Sequence, residues 1–314
     1  MGRYVLQRLV AMIPVLFLVS IIVFFLIRLI PGDPAVAMLG EEATPQAIAD
    51  LRHEFGLDQP IPVQYAIWLS RVLHGDLGNS TRSHQPVLEA IVERLPATIE
   101  LTFFSLMISL SIAIPTGIIS ATRRGSRSDL ISSTLALLGV SMPSFFLAML
   151  LIFVFSLNLR LLPPIGFTPI LNDPMANLRG MILPSITLGT GAAAIVARLT
   201  RSSLLEVLNL EYIRTARAKG LRERLVVYRH ALKNALIPVV TIVGLQVGGL
   251  LGGAVITESL FVLPGVGKLA VDSIFSRDFP IVQGVVLFLS LIFLLTNLMV
   301  DVLYAFLDPR IHYG

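Results

Sequence analysis

Apolar residues run along this chain in long unbroken blocks, not at the alternating or three-to-four spacing that marks strands and amphipathic helices of soluble proteins. Six blocks have the length of about 20 helical residues needed to cross roughly 30 Å of hydrocarbon. They are Leu9–Ile30, Ala97–Ala121, Ser132–Leu157, Met181–Leu199, Leu236–Leu260 and Ile281–Leu303, close to half of the 314 residues. In lipid an uninterrupted segment satisfies its backbone groups by folding as a helix, so the pattern predicts an all-α, polytopic membrane protein with six spanning helices. The first block is longer than the ~7–15-residue apolar core of a signal peptide, and no A-x-A site follows it, so it is expected to be retained.

Composition agrees: 55% of residues are hydrophobic and 14% are charged, against about 25% charged in a soluble domain. The net charge of +4 and pI near 9.7 are accounted for by basic loops at a membrane face, and no nucleic acid is expected as a partner. Lys and Arg are about threefold denser in segments 1–8, 122–131, 200–235 and 304–314 than in 31–96, 158–180 and 261–280, which places both termini in the cytoplasm. The chain then divides into an N-terminal spanning helix (1–30), an external segment (31–96), a five-helix domain (97–304) with a cytoplasmic loop at 200–235, and a cytoplasmic tail (305–314).

Charge inside the blocks is confined to Arg28, Glu100, Arg198, Glu258 and Asp301, each about a turn from a block end. Snorkelling or interfacial pairing explains such positions. Ion-driven carriers place an ionisable group near mid-membrane, and none is found there. With zero cysteines there is no thiol nucleophile, iron–sulfur cluster or Cys-bound zinc. All five histidines lie outside the blocks without metal-ligand spacing, so neither a catalytic group nor a metal is expected. Gly139-Val140-Ser141-Met142-Pro143 begins like a nucleophile elbow but ends in proline. Pro264-Gly265-Val266-Gly267-Lys268-Leu269 lacks the first glycine and the Ser or Thr of a phosphate loop. Energy for uphill transport would therefore come from another subunit.

Segment 200–235 holds most of the cytoplasmic charge. Asn209 is positioned to cap a short helix from Leu210, with Glu211 and Lys219 complementing its dipole and Gly220 closing it. Small side chains at Ala216 and Ala218 would admit a close partner. Beyond it, Leu221, Leu225, Tyr228, Leu232 and Ala235 form an apolar stripe. Two readings stay open: a helix held at anionic lipid, or a docking element for a cytoplasmic partner. In the fifth block Gly244, Gly248 and Gly252 recur every fourth residue, with Gly249 and Gly253 beside them. That spacing suits either tight packing within the chain or a mobile, pore-lining interface with a second subunit, to which Gln246 and Glu258 would add polar groups. In the external segment, Thr44-Pro45 opens a helix that Gly56 closes, and Val63–Leu73 is amphipathic around Trp68.

Glu211-Tyr212-Ile213-Arg214-Thr215-Ala216-Arg217-Ala218-Lys219-Gly220-Leu221, followed by Asn234-Ala235-Leu236-Ile237-Pro238, resembles the "EAA" loop of permease subunits of bacterial ABC importers. The variant is similar to that of the dipeptide/oligopeptide/nickel branch. Leu29-Ile30-Pro31-Gly32-Asp33-Pro34, Arg198-Leu199-Thr200-Arg201-Ser202-Ser203, Glu258-Ser259-Leu260-Phe261, Arg277-Asp278-Phe279-Pro280, Asp301-Val302-Leu303-Tyr304 and Asp308-Pro309-Arg310 agree with it. Tyr212 and Ile213 stand where the generic pattern has two alanines. The resemblance implies a type I importer fold in the bacterial inner membrane and a coupling helix at Glu211, Thr215, Ala216, Ala218 and Gly220. It also implies a second permease, two ATPase subunits that carry ATP and Mg, and a periplasmic or lipid-anchored binding protein delivering peptides, glutathione or nickel complexes. An ion-coupled carrier acting alone, or a membrane enzyme or scaffold, are the rival classes.

Overall fold

The computed structural model describes residues 2–29, 33, 35–36, 44–54 and 56–307. The Leu29–Pro34 motif, the end of the first block and the Asp308-Pro309-Arg310 motif lie wholly or partly outside them. Every extended element among the described residues is a helix: α1 Gly2–Leu26, α2 Pro45–Glu54, α3 Ile61–Leu73, α4 Val87–Thr122, α5 Arg127–Ser141, α6 Ser144–Leu151, α7 Pro174–Leu208, α8 Glu211–Ala218, α9 Leu232–Gly253, α10 Val255–Leu260, α11 Val266–Phe275 and α12 Phe279–Leu307. Five helices are long and apolar enough to cross a membrane, or six if α5 with α6 and its continuation counts as one span.

The third block is expected as one span, Ser132–Leu157, but the structure bends it by 102° between α5 and α6. Pro143 disfavours helical backbone at the residue before it, and Met142 accordingly sits at φ −81°, ψ 121°. A stretch of π-helix, Ile152–Asn158, then carries α6 onward. The fifth block also ends early. Four glycines crowd the last turn and a half of α9, where each weakens helix by about 1 kcal/mol relative to alanine, and the remaining residues form the separate α10. Conversely α4 and α7 run well past their apolar blocks. Asp173 starts α7 by accepting hydrogen bonds from the amides of Met175 and Ala176 at 3.0 Å, with Pro174 in the first helical position.

Two compact units divide the chain. One comprises the described parts of 2–98 with 264–294. Here Thr44 caps α2 through the Ala47 amide, and Gly56 closes it at φ +61°, both as the sequence indicates. Phe24 of α1 is buried beside Tyr65 and Trp68 of α3, with ring centroids 5.2 and 5.6 Å away. Arg28, just past the end of α1, lies over the Phe24 ring and donates to the buried Gln64 amide oxygen, so neutral groups receive this charge. Ser80 and Thr81 anchor to Asp278, and Val87, Ile91, Val266, Ile281 and Val285 form the unit's core.

The other unit comprises the described parts of 99–263 with 295–307. Its core joins Leu101 of α4, Ala148 and Leu151 of α6, Met181 and Leu183 of α7, and Ala254, Phe261 and Leu263 after α9. A second cluster brings Ala113 of α4 against Ala193, Val196 and Ala197 of α7 and Val239 of α9. Close approach here depends on glycine: a Cβ at Gly189 would lie 2.6 Å from the Ser105 carbonyl oxygen, and one at Gly117 2.6 Å from the Thr200 Cβ. Large apolar side chains such as Phe103, Met107 and Phe153 remain exposed on these helices, as Phe17, Leu18 and Phe293 do within the first unit. Such surface is stable in lipid and not in water.

Candidate coupling site

α8 is short because both its ends are fixed by neighbouring structure. Asn209 does not cap it as the sequence suggests. α7 runs on to Leu208, so Asn209 ends that helix and its side-chain amide donates to the Leu205 carbonyl at 2.9 Å. Leu210 takes the N-cap position without a side-chain cap, and α8 starts at Glu211. At the other end Gly220 adopts φ +74°, a left-handed conformation that glycine takes at no steric cost, and its amide returns to the Arg217 carbonyl at 2.9 Å.

One face of α8 is inward. Ile213 has no exposed surface and Ala216 is buried, and both join Ile118 and Ala121 of α4, Leu204 and Val207 of α7, and Val226, Val227, Ala231 and Ala235. Ala216 is therefore turned to the chain's own core, where a small residue lets α8 lie close to α7. The outward face carries Glu211, Tyr212, Arg214, Thr215, Ala218 and Lys219, all exposed.

Polar contacts hold this surface in place. Glu211 pairs with Arg214 at 2.7 Å, and the Thr215 hydroxyl donates to the Glu211 carbonyl at 3.0 Å. The Arg217 guanidinium grips the Glu223 carboxylate with two hydrogen bonds of 3.1 and 2.7 Å, tying the end of α8 to the following turn. This charge-assisted contact raises the Arg217 pKa above its ordinary value, so the fork stays cationic. The Tyr212 hydroxyl accepts from the Asn234 amide at 2.8 Å.

The stripe expected at Leu221, Leu225, Tyr228, Leu232 and Ala235 is buried only in part: Ala235 lies in the core, Leu221 and Leu232 pack against it, and Leu225 and Tyr228 do not. Residues Val226–Ala231 are π-helical, which shifts the register by about one residue, so Val226, Val227, Ala231 and Ala235 are buried while Leu225 and Tyr228 are exposed.

The second set of candidate residues separates. A Cβ at Gly244 would collide with Val300 of α12, so this glycine serves packing inside the chain. At Gly249 and Gly252 a Cβ would meet nothing within 4 Å among the described residues. Gly248 is buried. The Gln246 amide donates to the Ala192 carbonyl of α7 at 3.1 Å and bridges two helices, and its side-chain oxygen is buried without a partner among the described residues. Glu258 has no exposed surface, in contrast to the interfacial position its place near a block end suggests, because α10 is turned into the core after α9 stops. Glu100 accepts a hydrogen bond of 2.7 Å from the buried Asn177. Among the described residues no cluster of three or more His, Asp or Glu is arranged to hold a metal.

An ion pair between a buried carboxylate and a partly buried guanidinium, on α5 and α7, is not foreseen by the sequence. Asp129 of α5 receives two hydrogen bonds from Arg201 of α7, at 3.0 and 3.1 Å, together with the Ser120 hydroxyl of α4 and the Gly125 amide at 3.0 Å. The available signal was Arg201 within its motif and Asp129 as the lone acid among Arg123, Arg124 and Arg127.

Long apolar helices with a short, exposed helix between two of them define a polytopic membrane protein. Residues 113–313 match the family described as binding-protein-dependent transport system inner membrane component, and residues 1–102 match its N-terminal counterpart. The chain is 46% identical over its full length, and that of the relative, to the dipeptide transport system permease protein DppB of Alkalihalophilus pseudofirmus. It is equally 46% identical, again end to end, to the glutathione transport system permease protein GsiC of Salmonella choleraesuis. In fold it is similar to a chain of the MetNI methionine ABC transporter in an inward-facing conformation, with TM-score 0.59 and 18% identity over 70% of this chain and 97% of that one. The chain belongs to the binding-protein-dependent transport system inner membrane component family: it is a multi-pass inner-membrane permease subunit of an ABC importer.

Proposed function

We propose that the chain is one of two permease subunits that import peptides, with ATP and Mg bound by two separate ATPase subunits and substrate delivered by a periplasmic or lipid-anchored binding protein. The single observation carrying this reading is α8: an eight-residue helix whose inner face is locked into the core by Ile213 and Ala216 while its outer face is solvent-exposed and braced by ion pairs. A rigid exposed knob next to the membrane domain suits docking into a partner groove and transmits rigid-body motion. Glu211, Thr215, Ala218 and Gly220 form or shape that surface, and Ala216 supports it from beneath. Gly249 and Gly252 supply the open glycine face for a second permease. Residues 31–96 make the external segment that helps seat the binding protein, 97–304 the transport domain, and both termini lie in the cytoplasm. Within the family the chain's end-to-end likeness to dipeptide and glutathione permeases favours small peptides over nickel complexes as cargo.

The test uses the assembled importer in proteoliposomes. Gly220→Asp and Ala218→Glu are expected to leave membrane insertion intact and to reduce peptide uptake at least tenfold, with loss of binding-protein-stimulated ATP hydrolysis. Wild-type uptake by both variants, or uptake that persists without ATP and collapses with the proton gradient, would overturn the reading.

A further inference from the structure

The Asp129–Arg201 pair lies one step inside the coupling segment. Arg201 is on the last two turns of α7, two residues beyond which Ser203 and Leu204 are buried, and α7 hands over to α8 after Asn209 and Leu210. Leu204 and Val207 of this same stretch pack against Ile213 and Ala216 of α8. On the other side, Asp129 sits in the first turn of α5, whose N-cap Ser126 accepts from the Asp129 amide at 3.3 Å. Ser120 and its neighbours Ile118 and Ala121 belong to the last turns of α4. Three helix ends thus meet at one carboxylate.

Each oxygen of that carboxylate is accounted for. Oδ1 accepts from the Arg201 Nε at 3.0 Å, from the Ser120 hydroxyl and, more weakly, from the Ser133 hydroxyl at 3.4 Å. Oδ2 accepts from the Arg201 Nη2 at 3.1 Å and from the Gly125 amide at 3.0 Å, with Gly125 in a left-handed turn at φ +77°. The Arg201 Nε also reaches the Ser120 oxygen at 2.9 Å. Asp129 is 7% exposed. A buried ion pair is a poor source of net stability compared with apolar packing of the same volume, and its best-attested use is to fix register between elements. A planar guanidinium fork engaging both carboxylate oxygens resists sliding and rotation in a way a point charge does not.

We infer that Asp129, Arg201 and Ser120 are positioning residues for energy coupling: they clamp the end of α4 and the start of α5 to α7, so that displacement of α8 moves these helices as one body. This rests on the reading of α8 as the coupling helix. Without the clamp, motion of α8 would be absorbed at the α4–α5 turn, and partner binding would no longer be converted into movement of the spanning helices.

The experiment compares the assembled importer, reconstituted in lipid, with Asp129→Asn, Arg201→Lys, Ser120→Ala and the reversal Asp129→Arg/Arg201→Asp. Basal ATP hydrolysis and its stimulation by binding protein plus peptide are measured in the same samples, at matched complex content. The expected result is basal hydrolysis within about twofold of wild type and a stimulation ratio at least fivefold lower in Asp129→Asn and Arg201→Lys. Ser120→Ala, which leaves the ion pair intact, is expected to fall between, and the reversal to recover part of the ratio. A merely structural role would lower the yield of assembled complex and leave the ratio unchanged in what assembles. An unchanged ratio in Arg201→Lys and Ser120→Ala overturns the inference. Ala218→Glu run alongside separates the two failures: if it uncouples while the clamp variants do not, the clamp is wrong and the coupling helix stands; if it too is fully coupled, the reading of α8 falls.

Discussion

At the residue scale, backbone strain and close approach single out positions that composition does not. Val262 holds φ +54° with its side chain half exposed, a conformation that costs a β-branched residue about 1–2 kcal/mol. Val262→Asn should therefore raise the stability of the detergent-solubilised chain by about 1 kcal/mol in thermal unfolding, since asparagine tolerates this region and little packing is lost. An unchanged or lower midpoint would mean the valine contributes contacts that outweigh the strain. Two glycines on α7 make a matched pair. Gly189 lies against the Ser105 carbonyl, whereas a Cβ at Gly191 meets nothing within 4 Å among the described residues. Gly189→Ala should destabilise by about 1–3 kcal/mol through forced separation of α4 and α7. Gly191→Ala should be neutral or stabilise by up to about 1 kcal/mol through helix propensity. Equal effects in a denaturation series would contradict the packing described.

At the element scale, whether a helix continues or breaks followed local chemistry that is legible once its consequence is known. Pro143 ends α5, a glycine cluster ends α9, and Asp173-Pro174 starts α7, each by a mechanism written in two or three residues. The apolar blocks located the spans but not their ends, because hydropathy reports where lipid is tolerated and caps report where a helix stops. The glycine ladder of α9 was ambiguous in sequence, since one spacing serves internal packing and subunit contact alike. Its members divide only when their neighbours are known. Gly244 faces Val300 of α12, so Gly244→Ala should destabilise the chain and Gly244→Ala/Val300→Ala should restore most of the loss. Additive losses in the double variant would show that the two positions do not share a contact.

At the scale of the whole molecule, the asymmetric distribution of Lys and Arg predicts an orientation with α8 in the cytoplasm and α3 outside. The absence of cysteine makes this directly measurable with single introduced thiols. Ala218→Cys should react with a membrane-impermeant maleimide in inside-out vesicles alone, and Ser70→Cys in right-side-out vesicles alone, both side chains being exposed. The opposite pattern would invert the topology. Charge is sparse in the spans and dense around α8, which fits a subunit that receives energy by contact instead of generating it. The resemblance of the EAA-type segment to importer permeases extends to the full chain, and the family match agrees with it.

The sequence by itself determined the class, because block length, loop charge and a contiguous motif are local quantities that need no knowledge of what touches what. It placed α8 within a residue or two and marked Glu211, Thr215, Ala216, Ala218 and Gly220, of which all but Ala216 are exposed in the structure. Tertiary structure alone decided that Ala216 faces inward, that Gln246 bridges α9 to α7, that Glu258 is buried, and that Asp129 meets Arg201 at a sequence separation of 72. Those outcomes depend on helix register and on a π-turn that rotates one face past another, and neither is written in any single stretch of the chain.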